Sequence, residues 1–215
     1  MLQIELMVFN QIQENTYIVY CSETKECAII DAGCRSRMEK IKFRKRIEEL
    51  GLTPKHLLNT HLHFDHIYGN KFVYDTWGLL TEASEKDQFF IDTYLDQLNL
   101  FGFPQEEQAP GIGRKLKNGD VIEIGNESLT VLETPGHSAG GLCFYSAKDK
   151  VCFVGDTVFR ESVGRTDFPS GSQEEIIRSI ENQLMKLPGD TRLLSGHGEE
   201  TSVEHELLHN PYLNF

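Results

Sequence analysis

Six consecutive positions, His61, Leu62, His63, Phe64, Asp65 and His66, hold three imidazoles and a carboxylate. Imidazole nitrogens and carboxylate oxygens are the groups proteins offer to divalent transition ions, and core packing gives no reason to crowd four of them into one segment. In extended backbone alternate residues face the same way. His61 and His63 therefore point to one spot, while Asp65 and His66 enter the next turn and face a second spot nearby. Three further residues of the same types follow, each beside glycine after a β-rich segment: His137 in TPGH, Asp156 in VGDT and His197 in SGHG. Glycine allows the tight turns and close backbone approach that distant segments need to converge on a small ion. The pattern predicts two adjacent divalent cations, with zinc ranked first and iron and manganese compatible with the same mixed ligands.

Two such ions about 3.5 to 4 Å apart can share a water and lower its pKa from about 15.7 toward 7, which supplies hydroxide at neutral pH. The expected reaction is hydrolysis of an acyl compound: the hydroxide attacks, one ion polarises the carbonyl, and the other steadies the attacking oxygen or the leaving group. Asp65 is the candidate for handling a proton. Two divalent ions against Asp65, Asp156 and hydroxide leave the site locally positive, so an anionic substrate is admissible within the Debye length of about 8 Å.

The elements that must position these residues are legible around them. Leu2, Ile4, Leu6 and Val8 alternate with more polar neighbours, which predicts a half-buried strand, and Thr16 to Tyr20 and Cys27 to Ile30 continue as strands. Ser36 and Glu39 have capping-box spacing, ahead of a helix with Phe43, Ile47 and Leu50 on one face. His56 to Thr60 reads as a strand leading into the histidine loop, and residues from about 67 to 77 as helical. From Ser84 to about Leu100 the spacing of Phe90, Ile91, Tyr94, Leu95 and Leu98 predicts one amphipathic helix, followed by the loop FGFPQEEQAPGIG. The second half repeats the order: strands near 120–124, 128–133, 141–146 and 150–154, then a helix opened by Ser172 and Glu175 with a stripe of Ile176, Ile177, Ile180, Leu184 and Leu187. A strand at 192–195 and a short helix end the chain. Strands then helices, twice over, predict an α/β fold, a four-layer αββα sandwich, as one domain over 1–215 with a helical insertion at about 84–113.

Bulk properties narrow the partners. With 33 acidic against 21 basic residues the formal net charge is −12, which disfavours nucleic acid and anionic membrane surfaces and leaves small-molecule substrates. Five cysteines without short metal-type spacing read as reduced thiols, and no export signal or run of about 18 apolar residues is present, so a cytoplasmic location is expected. The oligomeric state is not legible.

The full series, His-x-His-x-Asp-His followed by His137, Asp156 and His197, resembles the motif of the metallo-β-lactamase superfamily in order and across nearly the whole chain. The resemblance implies that His61, His63 and His137 hold one metal, that Asp65, His66 and His197 hold the other, and that Asp156 bridges them. That division leaves coordination room for water and substrate, against a purely structural pair of ions. Asp31, in Ile30–Asp31–Ala32–Gly33, resembles the family's early buried aspartate, which supports the histidine loop; an ordinary turn Asp is the alternative.

Residues 155–169, GDTVFRESVGRTDFP, together with TPGHSAGGLCFY and SGHGEETSVEHELLHNPYL, resemble glyoxalase II, the hydroxyacylglutathione hydrolases, and their short single-domain relatives. This implies a thioester substrate such as S-lactoylglutathione. Arg165 either meets a substrate carboxylate or pairs within its own loop. Glyoxalase II proper has a helical C-terminal domain that supplies much of its glutathione contact, whereas 18 residues follow His197 here, so the core domain and the 84–113 insertion are expected to hold the substrate. Phe101 and Phe103 line an entrance there, or pack in the core or at a dimer contact. Two rivals share the ligands: persulfide dioxygenases, with one iron held in the manner of His61, His137 and Asp156, and lactone or other ester hydrolases. Gly196–His197–Gly198 and the 155–169 loop resemble the hydrolytic glyoxalase branch more closely.

Overall fold

A computed structural model describes residues 1–104, 107–108 and 110–213, so Gln105, Glu106 and Ala109 of the expected insertion lie outside the described residues. Strands β1 (Leu2–Phe9), β2 (Glu14–Cys21), β3 (Glu26–Ile30), β4 (Thr53–Leu58), β5 (Thr81–Ala83) and β6 (Ile112–Lys115) form one sheet in that order. The chain then adds β7 (Val121–Ile124), β8 (Glu127–Glu133), β9 (Leu142–Ser146), β10 (Val151–Gly155), a small ribbon of β11 (Val158–Phe159) and β12 (Ser162–Val163), β13 (Arg192–Ser195) and β14 (Thr201–Ser202). The second sheet has the order β14-β13-β10-β9-β8-β7. Helices are α1 (Arg37–Glu49), α2 (Phe64–Ile67), α3 (Asn70–Trp77), α4 (Gln88–Asp92), α5 (Tyr94–Leu100), α6 (Gln173–Ser179) and α7 (Val203–His209).

Strand pleating builds the layers. Neighbouring residues face opposite sides, so Val19, Ile30 and Leu58 of the first sheet meet Leu129, Val131, Phe144 and Phe153 of the second in a central core. Their neighbours Ile18, Ile29 and Leu57 turn the other way, onto Phe43 and Ile47 of α1 and Val73 of α3. On the far side Cys143, Cys152 and Val154 pack on Ile176, Ile180 and Val203. The result is the expected αββα sandwich. Strands buried on both faces lack polar alternation, which is why Cys27 to Ile30 and Val151 to Val154 read as continuous apolar runs. The capping box on α1 is formed as predicted: Ser36 Oγ accepts from the Glu39 N–H and Glu39 Oε2 accepts from the Ser36 N–H. Each such cap contributes about 1 kcal/mol.

Three expectations change in detail. Leu6 and Val8 are each 50% exposed, while Met7 and Phe9 are buried, because the outer half of edge strand β1 packs its other face on α1. The helix expected from Ser84 to Leu100 is a 3-10 turn at Glu85–Asp87 followed by α4 and α5, broken at Thr93. There the Thr93 hydroxyl donates to the Phe89 carbonyl, and Leu95 turns toward solvent while Phe90, Ile91, Tyr94 and Leu98 are buried. The second-half helix continues from α6 as a π-type turn, Ile180–Leu184.

The topology places chemistry on one edge. Strands β3 and β4 are parallel neighbours, as are β10 and β13, and β8 runs with β10 because both are antiparallel to β9. The residues just past these five strands include Asp31, His61, His137, Asp156 and His197. No helix among the described residues is long and apolar enough to cross a membrane.

Candidate metal centre

All seven predicted ligands converge. The His63 Nδ1 lies 2.9 Å from the His137 Nε2, and the His61 ring centre is 4.6 Å from that of His63 and 4.8 Å from that of His137. Beside this trio, Asp65 Oδ2 stands 3.2 Å from His197 Nε2 and 3.7 Å from His66 Nε2. Asp156 lies between the groups, with Oδ1 at 3.5 Å from His66 Nε2 and Oδ2 at 3.6 Å from His137 Nε2 and 3.8 Å from His197 Nε2. His61, His63 and His137 form one set with ligand atoms close enough to share an ion, and Asp65, His66 and His197 form another.

Local structure explains how each side chain is aimed. His63 keeps extended backbone as the N-cap of α2, which leaves Asp65 and His66 in the first turn of that helix, as the spacing predicted. Gly155 has φ of +50°, and a Cβ there would sit 2.2 Å from Thr60 Oγ1. At Gly196 an added Cβ would lie 2.4 Å from Asp156 Oδ1 and 2.6 Å from His66 Cε1. These two glycines let β10 and β13 approach the histidine loop. Asp31 supports that loop: Oδ1 accepts from the Thr60 N–H at 2.8 Å, Oδ2 from the Thr60 hydroxyl at 2.7 Å, and Oδ2 stands 3.1 Å from His66 Nδ1.

The outer nitrogens are turned away from the centre. His137 Nδ1 lies 2.7 Å from the Arg165 carbonyl oxygen, and His197 Nδ1 lies 3.2 Å from that of Ile12. Only an N–H satisfies a carbonyl, so Nδ1 of each ring carries a hydrogen and Nε2 is the nitrogen left facing the centre. His61 Nε2, His63 Nε2, His66 Nε2 and Asp156 Oδ1 are buried without a hydrogen-bond partner. Protons do not resolve the arrangement, since two imidazolium charges 2.9 Å apart repel by about 6 kcal/mol at an effective dielectric of about 20. Burial, reinforced by the neighbouring imidazoles, holds His61 well below the ordinary histidine range. Burial and His137 take His63 down to about 3. Burial disfavours charge on His66 as well, but Asp65, Asp156 and Asp31 outweigh it and keep that ring protonated. Burial raises the Asp156 carboxyl, yet His66, His137 and His197 hold it ionised. The neutral rings of His61 and His63 beside ionised carboxylates fit divalent cations, with the His66 proton the one to be displaced.

A cavity of about 960 Å³ opens over this cluster, with His63, Asp65, His137, Asp156 and His197 in its wall. Phe101 and Phe103 line it and also pack on buried Phe64, so the entrance and core-packing readings both hold. The Arg165 side chain also reaches it, but its Nε and Nη2 donate to Asp167 at 2.6 and 2.5 Å and its guanidinium stacks 4.0 Å above Phe168. The contact of Arg165 with the ligand set is its carbonyl, on His137.

Sequence reasoning missed Asp87. Its buried carboxylate accepts from the Leu62 N–H at 3.2 Å, the Ser138 hydroxyl at 2.8 Å and the Gly140 N–H at 2.7 Å, clamping the His61–His66 loop to the His137 loop. No spacing rule marks it. Asn15, also missed, donates to the Ser195 and Gly198 carbonyls and steadies the His197 turn.

Two outcomes are expected. Asp87→Ala strands two backbone N–H groups in a buried place, so urea unfolding should show a loss of about 1–3 kcal/mol and metal affinity should fall about 10- to 100-fold; a folded variant with unchanged affinity would contradict the clamp. A raised His66 pKa means the proton is present at neutral pH and must leave before a metal binds. Calorimetry of zinc binding to metal-free protein in buffers of different ionisation enthalpy should therefore show net proton release at pH 7, with apparent affinity rising as pH rises by about tenfold per unit for one proton. Zero release would contradict the assignment.

Residues 10–197 match the family model described as the metallo-beta-lactamase superfamily. The chain is 33% identical to the hydroxyacylglutathione hydrolase GloC of Haemophilus influenzae, over 99% of each chain. It is also 33% identical to the probable metallo-hydrolase YqgX of Bacillus subtilis, over 97% of this chain and 96% of that one. Among solved structures, BLEG-1 B3 metallo-beta-lactamase superposes with a TM-score of 0.89 at 33% identity, covering 99% of this chain and 100% of that one. TTHA1623 in a di-iron-bound form gives 0.86 at 29% identity, covering 97% and 100%. A strand-end cluster of histidines and aspartates, these whole-length likenesses and the family match together make the chain a hydrolase of the metallo-β-lactamase superfamily.

Proposed function

We propose that the protein hydrolyses thioesters at a dinuclear metal site. The observation that carries this reading is a set of buried, partnerless donor atoms, His61 Nε2, His63 Nε2, His66 Nε2 and Asp156 Oδ1, directly beneath an open cavity whose wall includes His63, Asp65, His137, Asp156 and His197. His61, His63 and His137 would hold one ion, Asp65, His66 and His197 the second, and Asp156 would contact both. Zinc is the first choice, with iron and manganese compatible with the same donors. Bound there, divalent cations supply Lewis acidity toward the carbonyl and acidify water.

The chain's own residues do the rest. The neutral rings of His61 and His63 leave their nitrogens free to bind rather than to carry charge. Asp65 is ionised: burial raises its carboxyl, but His66 and His197 more than offset this. Its Oδ2, fixed 3.2 Å from His197 Nε2 and facing the cavity, is placed to take a proton from attacking water and return it to the departing sulfur. Asp31 and Asp87 hold the loop in register, and the aromatic walls limit bulk water around the reacting carbonyl. The full-length likeness to a protein named as a hydroxyacylglutathione hydrolase supports the thioester class.

The test is thiol release from S-lactoylglutathione and simple thioesters by zinc-, iron- or manganese-loaded protein. Asp156→Ala, checked as folded by circular dichroism, should lose at least about 100-fold in kcat and bind less metal. Undiminished turnover in that variant, or sulfite production from glutathione persulfide with one iron per chain and no thioesterase activity, would overturn the proposal.

A further inference from the structure

Seven of the chain's thirteen phenylalanines line the cavity over the candidate metal centre. All but Phe159 form a continuous aromatic wall that passes through His63. The Phe90 and Phe168 ring centres stand 4.5 and 5.4 Å from that of His63, edge to face. From Phe168 the series continues to Phe101 at 6.0 Å, from Phe101 to Phe64 at 5.2 Å, and from Phe64 to Phe103 at 5.4 Å. At the outer end Phe89 is 51% exposed, Phe101 44% and Leu100 80%. Apolar side chains left in water beside a cavity are a mark of ligand binding. A volume of about 960 Å³ also exceeds what a lactoyl or acetyl group would fill.

The polar side of the lining is equally informative. Its one lysine or arginine among the described residues is Arg165, whose Nε and Nη2 both bond Asp167. Asp96 adds negative charge to the same wall. The positive charge of a loaded metal centre acts on the reacting carbonyl, whereas the two carboxylates of a glutathione carrier lie farther out along the lining, where burial without a partner is strongly unfavourable. A neutral apolar group, by contrast, gains roughly fourfold in binding per buried methylene.

We infer that this cavity selects the acyl part of the thioester, and that the preferred acyl group is apolar, a medium-length alkyl chain or an aryl group, in place of a small hydroxyacyl group on glutathione. The inference rests on the thioesterase reading and narrows it. In the reaction the carbonyl carbon gains a C–O bond from water and loses its C–S bond. One water proton leaves with the thiol, and the other is shed as the carboxylic acid ionises.

A series of N-acetylcysteamine thioesters, with acetyl, lactoyl, butanoyl, hexanoyl and phenylacetyl groups on one neutral carrier, separates acyl from carrier preference. With the metal-loaded full chain, kcat/KM should climb roughly threefold to fourfold per methylene from acetyl to hexanoyl. The hexanoyl and phenylacetyl compounds should exceed S-lactoylglutathione by about tenfold or more. Phe101→Ala should lower the hexanoyl-to-acetyl ratio by about threefold to tenfold. Thioesterase activity that ignores chain length, or that is highest with S-lactoylglutathione, would overturn the inference and leave the thioesterase reading intact. Failure to hydrolyse any thioester would overturn that reading. The cavity is then judged by calorimetric binding of S-alkyl-N-acetylcysteamine thioethers, where affinity rising with chain length supports an apolar ligand and no binding overturns it.

Discussion

Five imidazole rings and two carboxylates crowd one largely buried spot at the edge of this sandwich, and they cannot fully satisfy one another. Adding protons to neutralise the carboxylates sets imidazolium against imidazolium at about 3 Å. Leaving the rings neutral strands their lone pairs without donors. Divalent cations answer both demands, because they accept lone pairs and balance carboxylate charge. The surrounding structure follows from that constraint: carbonyls of Ile12 and Arg165 bind the outer nitrogens of His197 and His137, so the remaining nitrogen of each ring faces inward.

The fold supplies the precision. Five strands from two sheets deliver their following residues to one edge, and the core between the sheets fixes the relation of those edges. Close-packed interiors transmit small displacements, so a site assembled across the two sheets inherits their rigidity. Gly155 and Gly196 remove the side-chain bulk that would hold the two halves apart. Asp31 and Asp87 work from opposite sides of the histidine loop, one tying it to its own sheet and the other to the His137 loop of the second sheet.

Much of this was legible in the sequence, for physical reasons. The seven candidate ligands announce themselves because their residue types are otherwise rare in such density, and α1 is marked by its Ser36–Glu39 box. The αββα layering follows from strands and helices alternating twice. What escaped notice depends on tertiary context. Strands β5 and β6 are three and four residues long and exist by pairing in parallel with β4 and with each other, so local propensity does not reveal them. Thr93 breaks a segment whose apolar spacing reads as one helix. In β1, Leu6 and Val8 keep the alternation that suggested burial but lie where the opposing layer does not reach. Asp87 has ordinary neighbours, and its role appears only when Leu62, Ser138 and Gly140 meet. The aromatic wall shares this property: Phe64, Phe90, Phe101 and Phe168 come from separate segments, and an apolar residue facing a cavity has the same sequence signature as one facing a core.

The account turns on a pair of cations held by seven named side chains. Anomalous scattering from crystals of the metal-loaded protein measures this directly. Two peaks about 3.5 to 4 Å apart are predicted, one bonded by His61, His63 and His137, the other by Asp65, His66 and His197, with Asp156 within bonding distance of both. A single peak at full occupancy, or metal bound elsewhere while these side chains stay apart, would contradict it.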